Sequence, residues 1–315
     1  DQGVDIQESH SDFTGQGVSC FGESDGFIDV TVTGGAGGYI YNWSAVDTNG
    51  QIITVPADTD GDISGLVAGT YSLIATDSNG CFTEIVVEIT QNQELTASET
   101  TSDFTGQGVS CFGESDGSID LVTNGGTGVY NYQWSAVDND GQIINVPQAD
   151  VNGNITGLVA GTYSVLITDE NGCEFPIEID ITQNEELTAQ HTTSEYGIYQ
   201  ISCKNSNDGS IDLVTNGGTG AYSYQWSAVD NDGQTITVPQ ADANGNITGL
   251  VAGTYSVLIT DENGCELPIE IEMTQPDQGV DIQESHSDFT GQGVSCFGES
   301  DGFIDVTVTG GAGGY

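Results

Sequence analysis

Along most of its length the chain alternates apolar and polar residues with a period of two, the pattern of a strand with one buried face. In residues 28–33, Ile28, Val30 and Val32 fall on one face and Asp29, Thr31 and Thr33 on the other. The same alternation aligns Tyr130, Tyr132 and Trp134, then Tyr163, Val165 and Ile167, then Ile177, Ile179 and Ile181 against Glu178 and Asp180. Turn signals punctuate these runs: Asn124-Gly125-Gly126-Thr127-Gly128, Asp138-Asn139-Asp140-Gly141 and Asp169-Glu170-Asn171-Gly172. There glycine supplies left-handed backbone, and Asn or Asp side chains bond their own turn. No segment carries a convincing helical period. About seven short strands in about 90 residues predict an all-β fold of the immunoglobulin-like β-sandwich type.

The pattern then recurs. The phrase V-S-C-F-G-E-S-D-G at 18–26 returns at 109–117, in altered form at 201–209, and intact at 294–302. Spacings of 91, 92 and 93 residues between its cysteines add up to 276, and residues 277–315 repeat residues 1–39 letter for letter. Self-similarity at a fixed period marks serially stacked units. It divides the chain into modules of about 92 residues at 1–90, 91–182 and 183–274, with the truncated start of a fourth at 275–315, so that the chain reads as a window on a longer array. The joins Gln91-Asn92-Gln93-Glu94 and Gln183-Asn184-Glu185-Glu186 are short. Short joins restrict bending, which leads us to expect an extended stalk or filament, roughly 30–40 Å per module and about 100 Å per period.

Forty-eight acidic residues face one base, Lys204, for a net charge of -47. Nucleic acids and anionic lipid surfaces are bound through Lys and Arg, so neither is an expected partner. No run approaches the roughly 18–20 apolar residues of a membrane-spanning helix, so direct membrane insertion is not expected either. Tyr, Trp, Ile and Val recur at fixed places in every module, which argues for a folded chain despite the charge. An acidic surface keeps a long polymer soluble and self-repelling. It also makes cations, calcium above all, the natural counterpart.

Seven cysteines fall two per module, with Cys296 left over. Two cysteines about 62 residues apart, with no repeated histidine beside them, do not make a zinc site. Disulfides within each module are expected: Cys20–Cys81, Cys111–Cys173 and Cys203–Cys265, the partner of Cys296 lying beyond the window. Pairing across modules, Cys81 with Cys111 and so on, is the alternative. Closing a loop of that length stabilises by about 4 kcal/mol and points to an oxidising, extracellular compartment.

Catalysis finds no support. The histidines are His10, its copy His286, and His191, which aligns with Glu99, so no nucleophile–base set can recur. We expect a protein that is not an enzyme. Oxygen donors at alternate positions in Asp58, Asp60 and Asp62, in Asp150, Asn152 and Asn154, and in Asp242, Asn244 and Asn246 look like the opening of calcium loops. The glycine placement and closing Glu of an EF-hand are missing, and Asp and Asn beside Gly make turns without metal. The turn is the favoured reading, with no required cofactor and Ca²⁺ as the alternative. Trp43, Tyr71, Trp134, Tyr163, Trp226 and Tyr255 recur in register and are expected in the core rather than on a sugar-binding surface. The L-x-x-G-x-Y corner at Leu158–Tyr163 supports the sandwich class.

Four linked phrases carry a resemblance. V-S-C-F-G-E-S-D-G-S-I-D, G-G-T-G-x-Y-x-Y-x-W-S, G-L-V-A-G-T-Y-S-V and T-D-E-N-G-C, followed by a closing strand ending I-T-Q, together resemble the SprB repeat of giant surface adhesins in gliding Bacteroidota. The match runs through all three full modules and the fragment. It implies a filamentous cell-surface adhesin, exported by the type IX route and moved by the gliding machinery, without identifying a ligand. The third module departs from it at Cys203-Lys204-Asn205-Ser206. The expected function is a disulfide-locked, force-bearing spacer. Its partners are the neighbouring repeats and, through regions outside this window, surface polysaccharide or substratum. The alternatives are multivalent calcium-dependent carbohydrate-binding modules and a self-assembling extracellular filament.

Overall fold

A computed structural model describes residues 3–55 and 59–311, so the candidate ligand Asp58 lies outside the described residues. Every regular element among them is a strand. The first repeat contributes β1 (Asp5–His10), β2 (Gly26–Thr33), β3 (Ile40–Asp47), β4 (Ile52–Ile53), β5 (Ile63–Leu66), β6 (Gly69–Thr76) and β7 (Phe82–Ile89). The second contributes β8 (Thr96–Thr101), β9 (Gly117–Asn124), β10 (Asn131–Val137), β11 (Ile143–Ile144), β12 (Ile155–Leu158), β13 (Gly161–Thr168) and β14 (Glu174–Ile181). The third has β15 (Thr188–Thr193), β16 (Gly209–Asn216), β17 (Ser223–Val229), β18 (Ile247–Leu250), β19 (Gly253–Thr260) and β20 (Glu266–Met273), and the remainder has β21 (Asp281–His286) and β22 (Ile304–Thr309).

Each full repeat forms two antiparallel sheets. In the first repeat these run in the order β1-β2-β5 and β4-β3-β6-β7, and in the second β8-β9-β12 and β11-β10-β13-β14. The third has β15-β16-β18 and β17-β19-β20, with an isolated bridge from Val229 to Thr235 where its relatives have a short edge strand. Between the sheets lies a core whose members follow the alternation. Ile28 and Val30 of one sheet meet Tyr71, Leu73, Val87 and Ile89 of the other, and Ile211 and Leu213 meet Tyr255, Val257, Ile271 and Met273. The fold is therefore all-β, built of immunoglobulin-like sandwiches.

The expected core tyrosines are fully buried: Tyr71, Tyr163 and Tyr255 are each 0% exposed. Burial pushes their hydroxyls above the ordinary tyrosine range. Each hydroxyl donates four residues back, to the carbonyl of Val67 (2.8 Å), Val159 (2.9 Å) or Val251 (3.1 Å), the tyrosine-corner arrangement. The tryptophans differ from expectation. Trp43 and Trp226 pack against the core but remain half-buried, as does Trp134. The reason is polar: each indole N–H reaches the carbonyl of a loop glycine, Gly61, Gly153 or Gly245, at the sandwich margin.

The contacts divide the chain into two compact units, Asp1–Asp103 with Glu114–Thr182, and Phe104–Gly113 with Gln183–Tyr315. The division cuts the second repeat. Its loop 104–113 belongs with the third repeat, and the disulfides explain why.

Candidate functional site: the cystine junctions

The disulfides join successive repeats. Cys20 bonds Cys173, 153 residues away, and Cys111 bonds Cys265, 154 residues away, both with Cα atoms 5.6 Å apart. This corrects the expected pairs Cys20–Cys81, Cys111–Cys173 and Cys203–Cys265, and equally the alternative Cys81–Cys111. Cys81, Cys203 and Cys296 carry free, exposed thiols.

The two cysteines of one repeat sit at opposite ends of its sandwich. Cys81 immediately precedes β7. The loop carrying Cys20 is pinned beyond the far end of that strand: Gly17 and Val18 N–H donate to Thr90 O (3.0 and 3.1 Å), and Gly22 N–H donates to Gln91 Oε1 (2.9 Å). Eight residues of strand, roughly 26 Å, lie between them, whereas a disulfide needs Cα atoms within about 7 Å. The trailing end of one repeat instead meets the leading end of the next. Closing a loop of some 150 residues restricts the unfolded chain by about 5 kcal/mol on the chain-entropy argument.

Around each cystine two preformed loops dock. One is the Asp-x-Asn-Gly-Cys turn. Asp169 is only 6% exposed, and its carboxylate accepts N–H bonds from Asn171 and Cys173 (both 2.9 Å) and from Thr127 (2.7 Å). A buried carboxylate is tolerable when backbone donors satisfy it. Asp261 repeats the arrangement with Cys265 and Thr219 (2.9 and 2.7 Å). So does Asp77 with Asn79, Cys81 and Ala36 (2.9, 2.9 and 2.8 Å). The Ala36 N–H, joined by those of Cys81 and Asn79, holds the Asp77 carboxyl below the usual range.

The other loop is Phe13–Cys20. Phe13 and Gln16 exchange both backbone hydrogen bonds across Thr14-Gly15, and Thr14 and Gly15 have φ of 53° and 88°. Such a turn is costly for threonine. At the junction Thr14 Oγ1 donates to Asn171 Oδ1 (2.5 Å), while Asn171 Nδ2 donates to Phe13 O (3.2 Å), Ser19 O (3.1 Å) and Thr127 Oγ1 (3.3 Å). Asn263 in the second unit makes the same set with Thr105, Phe104, Ser110 and Thr219. Asn171 and Asn263 are thus the polar keys of the two junctions.

The joins pack into the same place. Asn92 Nδ2 donates to Thr127 Oγ1, and Gly126 N–H to Gln93 O (2.9 Å). Gly125, at φ 74°, leaves no room for a side chain: a Cβ there would lie 1.9 Å from Glu94 O. Asn184 with Thr219, and Gly218 with Glu185, repeat these contacts.

The candidate calcium loops are occupied by their own backbone. Asp150 Oδ1 accepts from Asn152 and Asn154 N–H (2.8 and 2.9 Å), and Asp242 Oδ1 from Asn244 and Asn246 (2.8 and 2.9 Å). The N–H of Asn154 and of Asn246, foremost, lower these carboxyls. Asp62, Asn154 and Asn246 turn their side-chain oxygens to Val30, Leu121 and Leu213 N–H (2.8, 2.7 and 2.7 Å), tying the loop to the neighbouring strand. Asp60 accepts from Thr59 Oγ1 (3.0 Å). Among the described residues no three His, Cys, Asp or Glu side chains are placed to hold a metal ion.

Asn171, Asn263, Thr14 and Thr105 were not singled out by sequence reasoning. The signal available was Asn at the same place before the second cysteine in all three repeats, Asn79, Asn171 and Asn263.

No curated protein matches the chain. Among solved structures it is similar to the tetra-tandem repeat in the extending region of a large adhesion protein, at 16% identity over 97% of this chain and 87% of that one, TM-score 0.30. It is also similar to a structure from a 1.5-MDa bacterial ice-binding adhesin, at 16% identity over 87% and 98%, TM-score 0.44. A third likeness is to the N-terminal eight Ig domains of Down Syndrome Cell Adhesion Molecule, at 14% identity over 76% and 32%, TM-score 0.29. The SprB repeat model matches residues 16–48, 106–139, 198–231 and 292–315. Each matched segment contains the first cysteine phrase and the strand or strands that follow it, so the likeness to the SprB repeat returns with the period of the chain.

Proposed function

We propose that this chain is the repeat region of a secreted, cell-surface adhesin and acts as a force-bearing spacer that presents a distal binding region. Its domains are the repeats at 1–90, 91–182 and 183–274, with the start of another at 275–315. Export by the type IX route and movement with the gliding machinery, which the SprB resemblance implies, belong to this reading. Surface polysaccharide or substratum would be met by regions outside the chain. Disulfides fit an oxidising, extracellular setting.

The observation that carries the mechanical role is that the two cystine loops overlap, so residues 111–173 lie inside both. Tension applied at the ends therefore passes through sulfur as well as through backbone. Pulled taut, the oxidised chain is limited by the path through residues 1–20, 111–173 and 265–315, about 134 residues or about 450 Å, against about 1,070 Å for the reduced chain. A strained sandwich can yield only within these limits.

Single-molecule stretching of the 315-residue chain tests this. The oxidised chain should stop near the shorter length and reach the longer one only with reductant. Equal contour lengths in both conditions would overturn the proposal.

A further inference from the structure

We infer that the outer face of the four-stranded sheet of the first repeat, β4-β3-β6-β7, is a contact surface for the same face of a second copy of the chain. The inference rests on that face and not on the adhesin role, so either can fail alone.

Strand alternation fixes what the face presents. Tyr71, Leu73 and Val87 point into the core, so the residues that alternate with them point outward. Among these are Ile40 and Val46 on β3, Ile52 on β4, Ile74 on β6, and Phe82 and Val86 on β7, all of them exposed. Single exposed apolar residues are ordinary, but six on one sheet face make a patch of the kind that marks an interaction site.

The other repeats show that the patch is a departure. At the positions of Ile40, Phe82 and Val86, which are 62%, 68% and 63% exposed, the second repeat has Asn131, Glu174 and Glu178 and the third has Ser223, Glu266 and Glu270. Those six residues are exposed as well, although Cys173 and Cys265 hold their repeats in cystine junctions. Formation of a junction therefore does not cover these positions.

Charge selects the occupant. In a chain of net charge -47, two copies repel wherever carboxylates meet. The first repeat has lost two of them from its outermost strand, and Glu84, which remains there, accepts from Ser72 Oγ (2.8 Å). A cationic partner would be better served by the acidic faces of the other repeats. A second copy is served best by this one.

Shape agrees with charge. Phe82 stands at one corner of the face, on β7, and at the opposite corner Ser44, Val46, Ile52, Thr70 and Ser72 line a groove of about 540 Å³. A two-fold axis lying in the interface, along the other diagonal, sets each Phe82 over the groove of the other copy. Such a contact is isologous, with strands crossing at about 90°, the orthogonal class of sheet packing. Eight-residue strands across four positions span about 19 by 26 Å, so pairing two faces removes on the order of 1,000 Å² from water, the threshold of a specific interface.

Sedimentation velocity on the 315-residue protein tests this, with the free thiols alkylated so that no new disulfide links two copies. A monomer–dimer equilibrium is expected at about 0.5 M NaCl, where repulsion is screened, and it should weaken several-fold at about 0.05 M. Phe82→Glu and Val86→Glu place there the residues of the other repeats, and each should raise Kd about a hundredfold, since both copies lose the contact. Ser44→Glu, in the groove, should do the same. Val122→Thr alters an exposed residue of a different sheet and should leave Kd unchanged. A monomer throughout, a dimer indifferent to Phe82→Glu or Ser44→Glu, a dimer weakened equally by Val122→Thr, or a dimer that a chelator dissociates, as cation-bridged carboxylates would, overturns the inference.

Discussion

Asn171→Ala should make one cystine of the chain easier to reduce and leave the other alone. The Asn171 amide bridges the docked repeats, donating to Phe13 O at 3.2 Å and Ser19 O at 3.1 Å and accepting from Thr14 Oγ1. Net worth per neutral hydrogen bond is about 1 kcal/mol, and the site is half-buried, so water replaces part of what is lost; the docking energy removed is about 2 kcal/mol. Docking holds Cys20 and Cys173 together, and for a two-electron couple 1.4 kcal/mol corresponds to about 30 mV, so the reduction potential of this cystine should rise by about 40 mV. Redox titration with quantitative mapping of alkylated peptides reads both cystines in one sample, and Cys111–Cys265, keyed by Asn263, is the internal reference. Asn171→Asp should weaken it further, because an acceptor then faces two carbonyl oxygens. Equal shifts at both cystines, or a change at Cys20–Cys173 under about 10 mV, would refute the assignment of Asn171 as the key.

Three further outcomes are expected. Tyr163→Phe removes the corner bond to Val159 O and should destabilise the second repeat by about 1 kcal/mol, lowering its melting temperature by about 4–8 °C in calorimetry; no change would detach the corner from stability. The Asp77 carboxyl titrates lower in the folded protein than in the unfolded chain, so its stabilising effect is full above the ordinary aspartate value near 3.9 and fades as pH falls through the lower folded value. Acid titration of the Cys81 turn by NMR should show that midpoint, and a midpoint at or above the ordinary value would contradict the backbone-donor assignment. Finally, with Asp150 and Asp242 engaged by their own loops, a chelator should leave the melting curve unchanged, whereas a drop of several degrees would restore the calcium reading.

Much of the fold could be read in the sequence because alternation and burial are the same physics. Tyr163, Val165 and Ile167 fall on one side of a strand by arithmetic, and water expels that side. The tyrosine corner was legible for the same reason. Cystine connectivity was not. Which end of a sandwich a cysteine occupies depends on the path of the whole chain, and Cys20 and Cys81 look like partners until β7 is seen to separate them. The half-burial of Trp43, Trp134 and Trp226 was hidden too, since it depends on where a loop carbonyl awaits each indole N–H. The keys Asn171 and Asn263 resembled ordinary turn residues, because their partners lie about 150 residues away.

Mass-spectrometric mapping of a non-reduced digest, made under acid to prevent exchange, tests cross-repeat linkage most directly. Peptides joining Cys20 to Cys173 and Cys111 to Cys265 are the predicted result. Peptides joining Cys20 to Cys81 and Cys111 to Cys173 would contradict it.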